Sequence, residues 1–189
     1  MKRIIALLAI TSGAYALDVG GGIGTNGVGI IAQQKMFSDF SIKAELNYMN
    51  INYDIYNLNS KSGELLITYD ITSNFYIGAG VAYNDSIVSS SKTQHLCYTD
   101  LNMCADLTMN KTTLLDNLAP VFEIGSKYYL DNKLYIDYTV GLIYINTKTH
   151  EHYTAKANIF NSDVYVWNTF DSQAKLLLPK MSISINYKF

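Results

Sequence analysis

Arginine occurs once in the chain, at Arg3, and nowhere after it; the 189 residues also hold only two cysteines, two prolines and one tryptophan. No apolar run reaches the roughly 18–20 residues that a membrane-spanning helix requires. Each shortage excludes something. Beyond position 16, 12 lysines face 16 aspartates and glutamates, a formal charge of about −4. An acidic chain without arginine is poorly suited to gripping nucleic acid phosphates. An exported chain that has no spanning helix can live in a membrane only as a closed barrel.

What is present begins with a leader-like N-terminus. Met1, Lys2 and Arg3 make a short basic start, positions 4–10 are apolar, and Ala14, Tyr15 and Ala16 place small residues around a cleavage point. This is the layout of a secretory signal peptide, so residues 1–16 are set aside and 17–189 is expected to be one domain. Tyrosine is abundant, 16 against a single tryptophan. It suits strands, and its amphipathic ring suits a membrane–water boundary.

Periodicity separates a membrane barrel from a tyrosine-rich sandwich. Leu134, Ile136, Tyr138, Val140, Leu142 and Tyr144 form one face of a strand, against Tyr135, Asp137, Thr139 and Gly141. Phe75, Ile77, Ala79, Val81 and Tyr83 oppose Tyr76, Gly78, Gly80, Ala82 and Asn84. Segments 40–48, 65–71, 120–127 and 180–189 alternate in the same way, and the chain ends on Phe189 in phase with the apolar set. Runs this long match tilted membrane strands better than the shorter strands of a sandwich. The apolar phase flips after Tyr48, to Met49, Ile51, Tyr53 and Ile55. Either a bulge lies there or the strand leaves the bilayer, and the second is the simpler account.

Short connections at 37–39, 71–74 and 131–133 alternate with longer polar ones at about 56–62, 88–116 and 149–177. That is the pattern of periplasmic turns and extracellular loops. Asn26-Gly27 is a two-residue hairpin signal. The expectation is an all-β, up-and-down antiparallel barrel of eight strands, at about 17–24, 27–36, 40–55, 63–72, 74–90, 117–130, 133–148 and 179–189. A single strand through 18–36, compensated by another within 150–177, is the competing arrangement.

On these residues the chain resembles the small eight-stranded outer-membrane barrels, the group of the OmpA-type transmembrane domain, OmpX and OmpW. The opening Gly22-Ile-Gly24-Thr-Asn-Gly27-Val-Gly29, followed by the segment at 37–45, also resembles uncharacterised Gram-negative barrels that share a "GxGTxGxG" start and a terminal aromatic. Those tend to carry arginine where this chain has Lys43. The resemblance implies a bacterial outer-membrane location among lipid and lipopolysaccharide, a monomer, and Phe189 as the signal read by the barrel-assembly machinery. It carries over no catalytic residue and no cofactor.

Gly22-x-Gly24-x-x-Gly27 has the form of a dinucleotide-binding turn but lacks the following helix that would meet pyrophosphate. Cys97 and Cys104 are expected to form a disulfide in an exported chain, with a metal site including His95 as the sharper alternative. His150 and His152 share a strand face but are too few for a firm metal site. Lys43, Glu45, Glu64, Asp70, Glu123, Lys127, Asp137 and Lys180, and with them Lys188, are expected to point into the lumen and pair across it, because isolated charges there are expensive. An eight-stranded barrel is just wide enough for side chains to fill, so a plugged interior is expected. For lipid-modifying chemistry the candidates are Asp85 and Ser86 with His95 or His150, and no motif favours them. The expected role is non-enzymatic: envelope integrity, or contact with an extracellular ligand or host surface through loops 88–116 and 149–177. Tyr98, Tyr153, Tyr165 and Trp167 are the contact candidates. A narrow channel for small hydrophobic molecules is the alternative.

Overall fold

The structure, a computed structural model, describes residues 17–98, 103–115, 118–159 and 162–189. The expected leader, 1–16, lies outside the described residues. The described elements are all strands: β1 (Leu17–Gly24), β2 (Gly27–Lys35), β3 (Phe40–Tyr53), β4 (Tyr56–Asp70), β5 (Phe75–Tyr98), β6 (Met103–Leu115), β7 (Leu118–Tyr129), β8 (Leu134–Ile159) and β9 (Ser162–Lys188). Every pairing is antiparallel, and β1 meets β9 from Asp18↔Lys188 to Gly24↔Ser182, which closes the sheet on itself. Closure gives every ladder group in the membrane zone a partner, the condition that hydrocarbon imposes on a strand.

Nine strand segments reduce to eight positions around the ring. β6 and β7 lie end to end along β5, in one register that runs from Tyr83↔Leu118 to Ile87↔Leu114. The first two strands are a hairpin turning at Thr25-Asn26, not one long strand. Gly27, at φ 101°, supplies the left-handed residue this turn needs.

Outside, the alternating residues form an apolar belt. Leu65, Ile67, Ile77, Val81, Phe122, Ile124, Val140, Leu142, Ile183 and Ile185 are all exposed on the outer wall, as lipid-facing side chains should be. Aromatics mark both rims. Phe40 meets Tyr69 and Tyr187 meets Phe189, each pair with ring centres 5.0 Å apart, at the periplasmic end. Tyr48, Tyr83 and Tyr144 stand at the other.

Beyond that outer rim the strands continue. The connections expected as loops at 88–116 and 149–177 are mostly strand: β5 and β6 pair out to Tyr98↔Met103, and β8 and β9 out to Ile159↔Ser162. Likewise 56–62 belongs to β4, after a tight turn in which Asp54 has φ 49°. The phase flip after Tyr48 involves no bulge, because β3 and β4 keep one register from Phe40↔Tyr69 to Tyr53↔Tyr56. The pleat is unchanged; only the solvent on its outer side is different.

The periplasmic turns are locally held. Asp131 Oδ1 accepts the backbone N–H of Lys133 and of Leu134, each at 2.6 Å, and these two bonds hold its carboxyl below the ordinary value. A depressed carboxyl stabilises the fold above the ordinary aspartate range, and that stabilisation is lost as pH falls through the lowered folded value. Asp131→Ala is therefore expected to abolish the acid-side shift of the Lys133 and Leu134 amide resonances. An unchanged NMR titration of those amides would show that another group controls the turn.

Candidate functional site

Alternation aims every second residue of each strand into the barrel, and the sequence has spent those positions on charge. Two lysines act as hubs. Lys43 Nζ, on β3, lies 2.8 Å from Glu45, 2.9 Å from Glu123 and 3.7 Å from Asp137. Lys180 Nζ, on β9, lies 2.5 Å from Glu64, 2.6 Å from Glu123 and 3.2 Å from Glu45. Glu123 and Glu45 thus bridge the two lysines across the lumen, and all of these groups are buried. Buried charges persist only with such multiple partners. Asn26, at the tip of the β1–β2 hairpin, donates to Glu64 Oε1 at 2.9 Å and fastens that hairpin to the cluster.

Nearer the periplasm, Lys127 lies 3.6 Å from Asp70, and Tyr135 donates to Asp18 at 2.9 Å. Tyr76 joins this region to the cluster. Its hydroxyl accepts from Lys43 at 3.1 Å and donates to Asp137 at 2.8 Å, and Lys127 Nζ lies 5.1 Å from its ring centre. A side chain at Gly125 would collide with that ring, so the glycine is what makes space for it. On β4, β5, β7 and β8, Leu66, Ala82, Ala119, Val121, Ile143 and Ile145 add an apolar cluster to the interior. These buried side chains pack the lumen at the level of the belt.

The eight charged positions anticipated from sequence all fall in this system, Asp70 at its partly exposed margin. Lys188 instead lies exposed at the periplasmic rim. Tyr76, Tyr135, Asp18 and Asn26 were not anticipated as members. For the two tyrosines the signal existed: each alternates with apolar lipid-facing neighbours, which fixes its side chain inward.

Above the rim the wall has two unlike faces. Directly opposed residues of antiparallel strands share a face, and the registers give the outward rows Thr93–Thr108–Thr154–Trp167 and Ser89–Thr112–His150–Asp171. The inward side carries Leu107, Met109, Tyr153, Ala155, Val166 and Phe170, with the Tyr153 and Phe170 rings 5.7 Å apart. On the same side Lys111 pairs with Glu151 at 2.8 Å, and Tyr153 donates to Glu151 at 2.7 Å. The hydrogen bonds from Lys111 and Tyr153 hold the Glu151 carboxyl below its ordinary value, and the bond to Glu151 raises Lys111.

The contact candidates separate accordingly. Tyr165 and Trp167 lie on the outward face of β9, 61 % and 72 % exposed, with Lys156 Nζ 5.6 Å from the Tyr165 ring. Tyr153 faces inward, and Tyr98 ends β5 at the boundary of the described residues. His150 Nδ1 meets Asp171 at 2.6 Å and His152 Nδ1 meets Thr169 at 3.3 Å, so each takes a cross-strand partner. Cys97 and Cys104 are joined as a disulfide between opposed residues of β5 and β6. The candidate lipid-modifying groups are not brought together: Ser86 is buried against Ser60, at 2.6 Å, whereas His95 and His150 face outward from the extended wall. Phe189 donates its backbone N–H to Leu17 at 3.0 Å, at the seam where the barrel closes.

A closed antiparallel ring, an apolar belt between aromatic rims and a charged, packed lumen define a small outer-membrane β-barrel. No family model and no curated protein matches the sequence. Among solved structures, Acinetobacter baumannii CarO2 aligns with a TM-score of 0.59 at 13 % identity, covering 93 % of this chain and 100 % of its own. Acinetobacter baumannii CarO aligns with a TM-score of 0.56 at 12 % identity, covering 91 % and 97 %. At such identities the likeness is one of fold.

Proposed function

We propose that this protein is a non-enzymatic, plugged outer-membrane barrel that displays its extended wall as a contact surface outside the cell. The observation that carries the reading is the combination of a sealed lumen with β5, β6, β8 and β9 continuing well past the aromatic rim. From Asn146 to Ile159, at about 3.3 Å per residue, β8 alone provides on the order of 40 Å of strand beyond the belt. Such an extension adds nothing to anchoring. It presents Trp167, Tyr165 and the histidine rows to the exterior, and exposed aromatics of this kind are frequent interface anchors.

Cells expressing a chain that lacks 90–115 and 150–176 are expected to lose attachment to protein-coated surfaces and to one another. The shortened barrel should keep its compact, unheated band in detergent gels. Undiminished attachment with the barrel inserted would sink the reading.

A second reading, passage of small hydrophobic molecules, is favoured by one feature. The β1–β2 hairpin stops at Gly24 and Gly27, whereas β3 runs on to Tyr53 and β9 begins at Ser162. Above that hairpin the wall has a notch, and inward-facing Met49, Ile51, Tyr53 and Phe170 offer it an apolar approach. The buried lysine–carboxylate cluster stands across any route onward through the lumen.

A further inference from the structure

The outer tip of the β5–β6 hairpin holds more chemistry than a staple requires. Twelve residue pairs already register these two strands, and a disulfide closing so short a loop removes little further chain entropy. Beside it, on the same outward face and one row nearer the membrane, His95 stands opposite Asp106. His95 Nε2 lies 3.1 Å from Cys97 Sγ, and its Nδ1 is bonded to Asp106 Oδ1. Cys97, Cys104 and His95 are exposed. The order carboxylate, imidazole, sulfur is what activates a thiolate: the carboxylate fixes the tautomer with Nδ1 protonated, leaving Nε2 to take a proton and stabilise the sulfur anion.

We infer that Cys97–Cys104 is a redox-active disulfide that exchanges with low-molecular-weight thiols outside the cell, with His95 activating Cys97 and Asp106 positioning His95. The inference is independent of the contact-surface reading. A thiol RSH attacks Cys104 Sγ. An R–S–S–Cys104 bond forms, the Cys97–Cys104 bond breaks, and its electron pair leaves on Cys97 as thiolate. The proton of RSH ends on His95 Nε2, which donates to that thiolate, while Nδ1–H donates to Asp106. A second RSH attacks the R sulfur of the mixed disulfide, releasing RSSR and leaving Cys104 as the thiol. Two thiols are oxidised and the protein disulfide is reduced; the reverse sequence oxidises the dithiol. A better-stabilised leaving thiolate leaves faster, so His95 accelerates the first step in particular.

Glutathione is the probe, applied to the full barrel in lipid nanodiscs at pH 7, with free thiols followed by alkylation gel shift. His95→Gln is expected to slow reduction about tenfold, and Asp106→Asn to slow it by a smaller factor. In the fully reduced protein, a brief iodoacetamide pulse at pH 6 should label Cys97 about tenfold faster than Cys104, by peptide mapping, and His95→Gln should erase that preference. A wild-type disulfide inert to glutathione, equal reduction rates in His95→Gln, or equal labelling of both cysteines would each overturn the assignment. The substitutions sit far from the lumen, so an unheated compact band verifies that each variant is folded.

Discussion

Lys180→Met is expected to cost the barrel about 3–5 kcal/mol of unfolding free energy, the usual loss when one partner of a buried ion pair is removed and the others remain. Lys180 holds Glu64, Glu123 and Glu45 at once, all buried. Without it Lys43 is left beside Glu45 and Glu123, and Glu64 keeps only the Asn26 amide among these contacts. Methionine preserves length and apolar stem, so the loss reports on charge rather than on a cavity. Urea unfolding from lipid vesicles, followed by circular dichroism, measures it. Adding Glu64→Gln to Lys180→Met removes one stranded charge and is expected to restore part of the stability. If Lys180→Met unfolds at the wild-type midpoint, the cluster is not what holds the lumen together.

The lumen was legible in the sequence because a bilayer enforces the pleat. Between Leu134 and Tyr144 every even position must satisfy lipid, so the odd positions are named inward by elimination, Asp137 among them. The same logic places Lys43, Glu45, Glu123 and Lys180. What alternation does not give is the register between strands, and it is register that sets Glu45 opposite Glu64 and brings distant Lys180 to both. The hairpin residue Asn26 could be read as a turn signal but not as a lumen partner.

The extended wall looks like loop in the sequence for a physical reason. Above the rim both faces of the sheet meet water, and no hydrocarbon forbids polar residues on the outer one. Rows such as Thr93, Thr108 and Thr154 therefore look like polar connection in one dimension and like ladder in three. The signal that survived was the flip after Tyr48. With β3 unbroken, it says that apolar side chains turn inward once the outside of the wall is aqueous. Leu107, Met109 and Tyr153 follow the same rule on β6 and β8.

Tyr76→Ala is expected to have the largest effect on what the barrel can pass. The ring is wholly buried, overlies Gly125, and links Lys43 to Asp137 through its hydroxyl. Deleting a buried aromatic of this size costs about 3–5 kcal/mol, and here it also opens space in the lumen. Carboxylates outnumber lysines along that space: Asp18, Glu45, Glu64, Asp70, Glu123 and Asp137 against Lys43, Lys127 and Lys180. An interior of that sign selects cations. Planar bilayers holding the wild-type protein should be electrically silent, and the Tyr76→Ala barrel should show small cation-selective steps. Tyr76→Phe keeps the ring and loses only the hydroxyl bonds, at about 1.5–3 kcal/mol for a hydrogen bond to charged groups, and should stay silent. A folded Tyr76→Ala barrel without conductance would place the seal elsewhere in the charge cluster. Wild-type steps of the same kind would overturn the plugged lumen itself, and with it the reason for seeking this protein's function on its outer wall.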